Sequence, residues 1–189
     1  MKKSLVINLY GGPGTGKSTI CAELFSMLKW RGVNCEMALE FAKDKVWEES
    51  FKVLENQIYI FGKQLHRLHR LNGKVDVILT DAPLLFSLIY DKSKSDAFKM
   101  VVLEQYKLFN NSNFLLKRHK PYKTEGRMQN EKGAKALDMD ISLMLQSHGI
   151  QHYSLPAKQE NVQEIFDQVL IDLNVEEYID SMTKKHAKP

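Results

Sequence analysis

Between an apolar run and a helical pattern, residues 7 to 24 read INLYGGPGTGKSTICAEL. The part from Gly11 to Ser18 satisfies G-x-x-x-x-G-K-[ST], and a strand before it with a helix after it is the context that gives this spacing meaning. No other stretch constrains the fold as much, because it dictates strand, tight loop and helix in that order. Gly11, Gly14 and Gly16 permit the dihedrals and close approach that turn successive N–H groups toward phosphate oxygens. Gly12, Pro13 and Thr15 complete the loop, and the helix that follows adds its positive end and unpaired N–H groups. Lys17 brings a charge that can reach β- and γ-phosphates, the Ser18 hydroxyl is the right length for a Mg²⁺ ligand, and Thr19 can touch an α-phosphate. A nucleoside triphosphate with Mg²⁺ is the expected ligand.

The rest of the chain alternates strands and helices. SLVINLY (4 to 10) is a β-rich run, and residues 16 to 31 then place Ile20, Leu24 and Leu28 at helical spacing. NCEMALE (34 to 40) is a second strand, followed by a helical region from 44 to 71 whose second half carries Ile58, Phe61, Leu65, Leu68 and Leu71 on one stripe. VDVILTD (75 to 81) is an apolar run ending in an acid, as a buried parallel strand would. A helical region from 83 to 111 has a polar break at DKSKSD, and NFLLKRH (113 to 119) is a fourth strand. A helix over 131 to 148 turns Ala134, Leu137, Ile141, Met144 and Leu145 inward, before a fifth strand, IQHYSLP, and a last helix, NVQEIFDQVLIDL. This alternation predicts an α/β fold with a parallel sheet covered on both faces. The 189 residues suit one domain, 1 to 175, with a frayed tail over 176 to 189.

Composition excludes several classes. An apolar share of 43% and a charged share of 26% are those of an ordinary folded domain. The apolar run after the first lysines stops at the glycines, too early for a signal peptide, and no window approaches the ~18 apolar residues of a membrane span. A cytoplasmic protein without a membrane partner is expected, with Cys21 and Cys35 as buried free thiols. The net charge of +4 suits an anionic partner, nucleotide or nucleic acid.

Acids and a basic loop supply the rest of the chemistry. Asp81 ends the VILTD strand, where an open parallel sheet faces its ligand crevice, and can hold Mg²⁺ there. The run into Ala82-Pro83 also suits a helix N-cap. Glu40 ends the second strand at the same edge, with Asp44 close behind. A carboxylate there can accept a proton from an acceptor hydroxyl, orient it, or join the metal shell. KRHKPYKTEGR (117 to 127) holds five Lys or Arg residues against one acid. Arg118 and Arg127 in it can neutralise charge developing on a transferred phosphoryl group. A basic lid over 117 to 131 is the reading. In the helix over 55 to 71, Gln57, Phe61, Gln64 and Arg67 share roughly one face, where Phe61 can stack on a base while a glutamine reads its edge.

On GGPGTGKS, LEFAKD, VILTD and KRHKPYKTEGRMQ, the chain resembles the small P-loop kinases of the nucleoside and nucleotide kinase superfamily over residues 4 to 173. In texture it is most similar to the compact kinase-like ATPases of tailed bacteriophages, a group that includes enzymes phosphorylating hydroxymethyluracil in phage DNA. The resemblance implies a P-loop three-layer sandwich with sheet order 2-3-1-4-5, ATP and Mg²⁺ as cofactors, and an acceptor between the helices after strand 2 and the lid. It implies ATP on Gly11 to Thr19, Glu40 as the carboxylate after strand 2, and Arg118 and Arg127 as lid arginines. Deoxynucleoside kinases follow strand 3 with an acid-arginine-serine signature, whereas Asp81 is followed here by Ala82 and Pro83.

A phosphotransferase is therefore expected, with a free nucleoside or nucleotide, or a pyrimidine within DNA, as acceptor. A GTP-dependent switch would need [NT]-K-x-D after a late strand, and the nearest string, SKSD at 93 to 96, lies between helical segments. A DNA-associated ATPase would carry a carboxylate pair at the acid-bearing strand, where LTDA has one acid.

Overall fold

The short apolar runs become the strands of one parallel sheet: β1 (Leu5–Tyr10), β2 (Cys35–Met37), β3 (Val77–Thr80), β4 (Asn110–Lys117) and β5 (Tyr153–Pro156). Their order is β2-β3-β1-β4-β5. The computed structural model describes residues 3–119 and 130–173. Most of the basic loop, with Arg127, and the tail over 176 to 189 lie outside the described residues.

Eight helices are described: α1 (Lys17–Trp30), α2 (Phe41–Trp47), α3 (Phe51–Leu54), α4 (Gln57–His69), α5 (Phe86–Tyr90), α6 (Asp96–Lys107), α7 (Glu131–Ser147) and α8 (Val162–Asp172). The central strand shows how they form layers. Strand residues alternate between faces, so Leu5, Ile7 and Leu9 of β1 pack into the core with Leu24 and Leu28 of α1 and Ile165 and Val169 of α8. Val6 and Tyr10 face the opposite core, built with Leu68 of α4, Val102 of α6 and Ile141 of α7. The result is a three-layer α/β sandwich. Every residue of β1 is buried, as a central parallel strand covered on both faces requires.

Four elements differ from expectation. Strand β2 stops at Met37, so Glu40 lies three residues past it, at the cap of α2 and not on the strand. The helical region after strand 2 is divided into α2, α3 and α4, because Glu49 takes a left-handed backbone (φ 54°) and Asn56 caps a new helix by accepting from Tyr59 N at 3.1 Å. In α4 the apolar stripe is rotated: Ile58 is 69% exposed, and the buried positions are Phe61, Gln64 and Leu68. Strand β4 starts at Asn110, three residues earlier than expected, since NNSN has the composition of a turn. Its asparagines are tolerated in the sheet because they bond one another. Asn8 Nδ2 donates to Asn111 Oδ1 (3.0 Å) and Asn113 Oδ1 (3.1 Å), and Tyr106 OH donates to Asn113 Oδ1 (3.0 Å). Cys21 and Cys35 are free and buried, and no helix among the described residues is long and apolar enough to cross a membrane.

Candidate active site

At the carboxyl end of β1 the chain turns through the glycine loop into α1. Gly11, Gly14 and Gly16 all have positive φ (148°, 76° and 111°), and Gly16 is the cap residue from which α1 starts at Lys17. A side chain would strain each of them. The loop holds its own shape: Thr15 Oγ1 donates to the Gly12 carbonyl, and the Lys17 ammonium donates to the carbonyls of Gly11 (2.7 Å) and Gly12 (3.2 Å). Ser18 and Thr19 stand exposed in the first turn of α1, where backbone N–H groups have no partner within the helix.

Four charged side chains surround Lys17. Burial lowers its pKa, while Glu40, Asp81 and Asp138 push it up and Arg118 pushes it down. Asp81 follows β3, is 2% exposed, and accepts a hydrogen bond from Glu40 N at 3.2 Å. The N-cap alternative for Asp81 does not hold, since the next helix, α5, begins only at Phe86 with Leu85 at its cap. Glu40 precedes α2 with extended backbone, and its side chain makes no capping bond. Its carboxyl is therefore available to the crevice. Burial raises the Glu40 pKa, Lys17 opposes that shift and Asp81 adds to it.

Asp138 is a residue that sequence reasoning missed. Its Oδ1 accepts from Gly12 N (2.7 Å) and its Oδ2 from Arg118 Nε (2.8 Å), so α7 grips the phosphate loop and the end of β4 with one carboxylate. The fit is close: a Cβ on Gly12 would lie 2.5 Å from Asp138 Oδ1 and 2.8 Å from the Ala134 carbonyl. The signal was present, because Asp138 falls between Ala134 and Ile141 on the inward stripe of its helix, where an unpartnered acid is not tolerated. Phe86 and Tyr90 were missed as well. The Lys17 ammonium is 5.5 Å from the Phe86 ring centroid, and Tyr90 packs edge-on to Phe86 with its hydroxyl pKa raised by burial and by Glu40. These rings form an apolar wall beside the acids.

The residues expected on the acceptor side divide. Phe61 is core, edge-on to Phe98 at 5.6 Å, and does not present a ring face to a base. Gln64 spends its amide on the backbone at Ala38 and Phe41, and Gln57 Nε2 donates to Leu54 O at 2.8 Å. Arg67 donates to Leu39 O (2.8 Å) and pairs with Asp44 (2.6 Å) at the rim of the crevice. The oxygens that could hold a cation here are hard donors, the Ser18 hydroxyl and the Asp81 carboxylate. Among the described residues no group of three His, Cys, Asp or Glu forms a protein-only metal site. Such a sparse set suits Mg²⁺, which keeps waters and phosphate oxygens in its shell.

Comparison with known proteins agrees with this geometry. The family AAA_28, described as an AAA domain, matches residues 6–164. No curated protein matches the sequence. Among solved structures, NadR in complex with NR is similar at 14% identity and a TM-score of 0.67, over 87% of this chain and 51% of NadR. The chain thus spans about half the length of NadR. YorR from Bacillus subtilis, in complex with phosphorylated GDP, is similar at 17% identity and a TM-score of 0.56, over 92% of this chain and 98% of YorR. Thymidylate kinase from Ehrlichia chaffeensis is similar at 12% identity and a TM-score of 0.55, over 92% of this chain and all 100% of that one. The fold is that of these P-loop proteins.

Proposed function

The chain belongs to the AAA domain family, and on that premise we propose that it is an ATP- and Mg²⁺-dependent phosphotransferase acting on a nucleoside or nucleotide acceptor. The observation that carries this reading is the pair of acids that follow β3 and β2 beside Lys17. Asp81 Oδ1 accepts from the backbone N–H of Glu40, and both carboxylates act on the Lys17 charge. One acid is enough for a metal; a second, with its pKa raised by burial, suits the proton of an acceptor hydroxyl. The fold neighbours support the acceptor class, since they include NadR with NR, YorR with phosphorylated GDP and a thymidylate kinase.

In this reading the N–H groups of Gly14 and of Gly16 to Thr19 cradle the phosphates, as the neighbour NadR in complex with NAD and AMP-PNP suggests for an ATP-type ligand. Lys17 leaves the carbonyls of Gly11 and Gly12 to meet the β- and γ-phosphates. Ser18 and Asp81 hold Mg²⁺, which supplies charge neutralisation on the transferred group. Arg118, fixed by Asp138, faces the same charge, and Arg127 is the second arginine that the sequence assigns to it. Glu40 orients the acceptor hydroxyl and takes its proton. The Asp44 and Arg67 pair, with Tyr90 and Phe86, lies along the acceptor's approach.

Labelled phosphate transfer from γ-³²P-ATP tests the proposal against thymidine, NR, thymidine and guanosine monophosphates, and a hydroxymethyluracil-containing oligonucleotide. Label on a free nucleoside or nucleotide is the expected result, and label on the oligonucleotide alone moves the acceptor into DNA. Phosphate release that none of these acceptors diverts would overturn the kinase reading in favour of a DNA-associated or switch-type ATPase.

A further inference from the structure

Residues Ala38 to Phe41 carry Glu40 from the end of β2 into α2, and side chains from distant elements hold their backbone groups. Gln64 of α4, 6% exposed, accepts from Phe41 N through Oε1 (3.1 Å). Through Nε2 it donates to the Ala38 carbonyl (3.2 Å) and to Thr80 Oγ1 (3.4 Å). A backbone N–H can only donate, so Phe41 fixes which way the amide points. Thr80 Oγ1 in turn donates to Ala38 O (2.8 Å) and accepts from Ala82 N (3.1 Å), while Asp81 Oδ1 accepts from Glu40 N (3.2 Å). One buried amide thus bridges the two segments that bear the acids.

Gln64 stands on the apolar stripe of α4, one turn after Phe61 and one turn before Leu68, both buried. Leucine or methionine would fill that place without the cost of burying an amide. What the glutamine adds is direction. Gln64 holds the N–H of Phe41, in the peptide plane after Glu40, and Asp81 Oδ1 holds the N–H of Glu40, in the plane before it, so both planes are set, and with them the line along which the Glu40 side chain leaves the backbone. Arg67, one turn further along α4, holds the Leu39 carbonyl at 2.8 Å and completes the clamp.

We propose that Gln64 is a positioning residue, which through the backbone of residues 38 to 41 sets the Glu40 carboxylate, and through Thr80 the Asp81 carboxylate, at fixed places beside Lys17. The inference rests on the reading of Glu40 as the proton acceptor in transfer. It makes α4 the element that couples the acceptor side to the acids, since a shift of this helix moves both of them together.

Gln64→Met keeps the length of the side chain and removes its hydrogen bonds. With γ-³²P-ATP and whichever of the above acceptors the wild type labels, its kcat should fall about ten- to a hundredfold, as misplacement of a reacting group by about 1 Å would cause. Affinity for a fluorescent ATP analogue should stay within about twofold. Thr80→Val, which removes only the shared hydroxyl, should lower kcat in the same way by less, and serves if Gln64→Met does not fold. Wild-type kcat in the folded variants overturns the proposal, as does a kcat loss matched by an equal loss of ATP affinity. Glu40→Gln separates the two ideas. Wild-type turnover in Glu40→Gln refutes the base reading and the positioning role with it, whereas a dead Glu40→Gln beside an active Gln64→Met refutes the positioning role alone.

Discussion

The two halves of the crevice are built on opposite plans. At the glycine loop, the donor side of the proposed reading, the backbone is shaped by Gly11, Gly14 and Gly16 at positive φ, and the support is a side chain, Asp138, reaching in from α7 to Gly12 N. At the other half, where the proposed chemistry falls to the side chains of Glu40 and Asp81, the support is given to the backbone around Glu40, at Ala38, Leu39 and Phe41, by Thr80, Arg67 and Gln64. The difference teaches where each half is vulnerable. A loop whose dihedrals do the work tolerates few substitutions within itself, while an acid whose flanking backbone is braced can be disabled from a buried side chain that does not touch it.

The largest effect should come from the point both halves share. Lys17→Ala removes the charge around which Glu40, Asp81, Asp138 and Arg118 are arranged. Loss of a group stabilising transition-state charge costs about 10²–10³ in turnover, so transfer should fall by at least that factor with an unchanged circular dichroism spectrum. Retained transfer would show that the two halves do not meet at Lys17.

Breaking the donor support comes next. Asp138→Asn keeps an oxygen for Gly12 N and loses the charge that holds Arg118, whose ion pair is only partly exposed (side chains 11% and 27%). Hydrogen bonds to charged groups contribute about 1.5–3 kcal/mol, which corresponds to a roughly ten- to hundredfold drop in kcat/KM for ATP, with the acceptor KM little changed. A larger effect on the acceptor KM than on ATP would erase the division between the halves. Gly12→Ala should act in the same direction, because its Cβ meets both Asp138 and the Ala134 carbonyl.

How far the sequence disclosed these halves follows from the range of their contacts. The phosphate loop was legible to the residue, since its geometry is local and glycine, lysine and serine are required at fixed spacing. The sheet and its order were legible as well, through the alternation of elements and the family resemblance. Asp81 was legible as the acid that closes the third strand, whereas Glu40, expected at the end of the second, stands three residues beyond β2 as the residue before α2. Their braces were not: Gln64 is 24 residues from Glu40 in the chain, and its partner at Phe41 has |i−j| = 23. On α4 the helical period admitted either Ile58 or Gln64 as the inward position, and the hydrophobic reading chose Ile58, which the fold leaves exposed. NNSN was misread for a similar reason, because Asn8, its partner in β1, lies over a hundred residues away, as |i−j| = 103 for its contact with Asn111 shows. Local propensity is outweighed wherever a distant partner satisfies the polar group.

The pH dependence offers a smaller effect that still reads both halves. Glu40 must be ionised to accept a proton, and its pKa is raised, so the acidic limb of kcat/KM should lie above the ordinary glutamate range and activity should climb as pH rises through it. Lys17 must be charged, and burial lowers its pKa, so the alkaline limb should lie below the ordinary lysine range. Glu40→Gln should remove the acidic limb and leave the alkaline one. An acidic limb that survives in Glu40→Gln would pass the base role to another group.

The smallest expected effect separates support from contact at the rim. Arg67 and Asp44 are paired at 2.6 Å with side chains 26% and 51% exposed, and an exposed pair of this kind contributes about 0.2–1 kcal/mol. Asp44→Asn should therefore lower stability by no more than that, with the loss fading in high salt as the charges are screened. Arg67→Met should do more, since it also frees the Leu39 carbonyl beside Glu40, and its effect should fall on kcat in the manner of Gln64→Met. If Asp44→Asn instead raises the acceptor KM more than tenfold at unchanged stability, Asp44 touches the acceptor, and the rim belongs to the binding surface and not to the braces behind it.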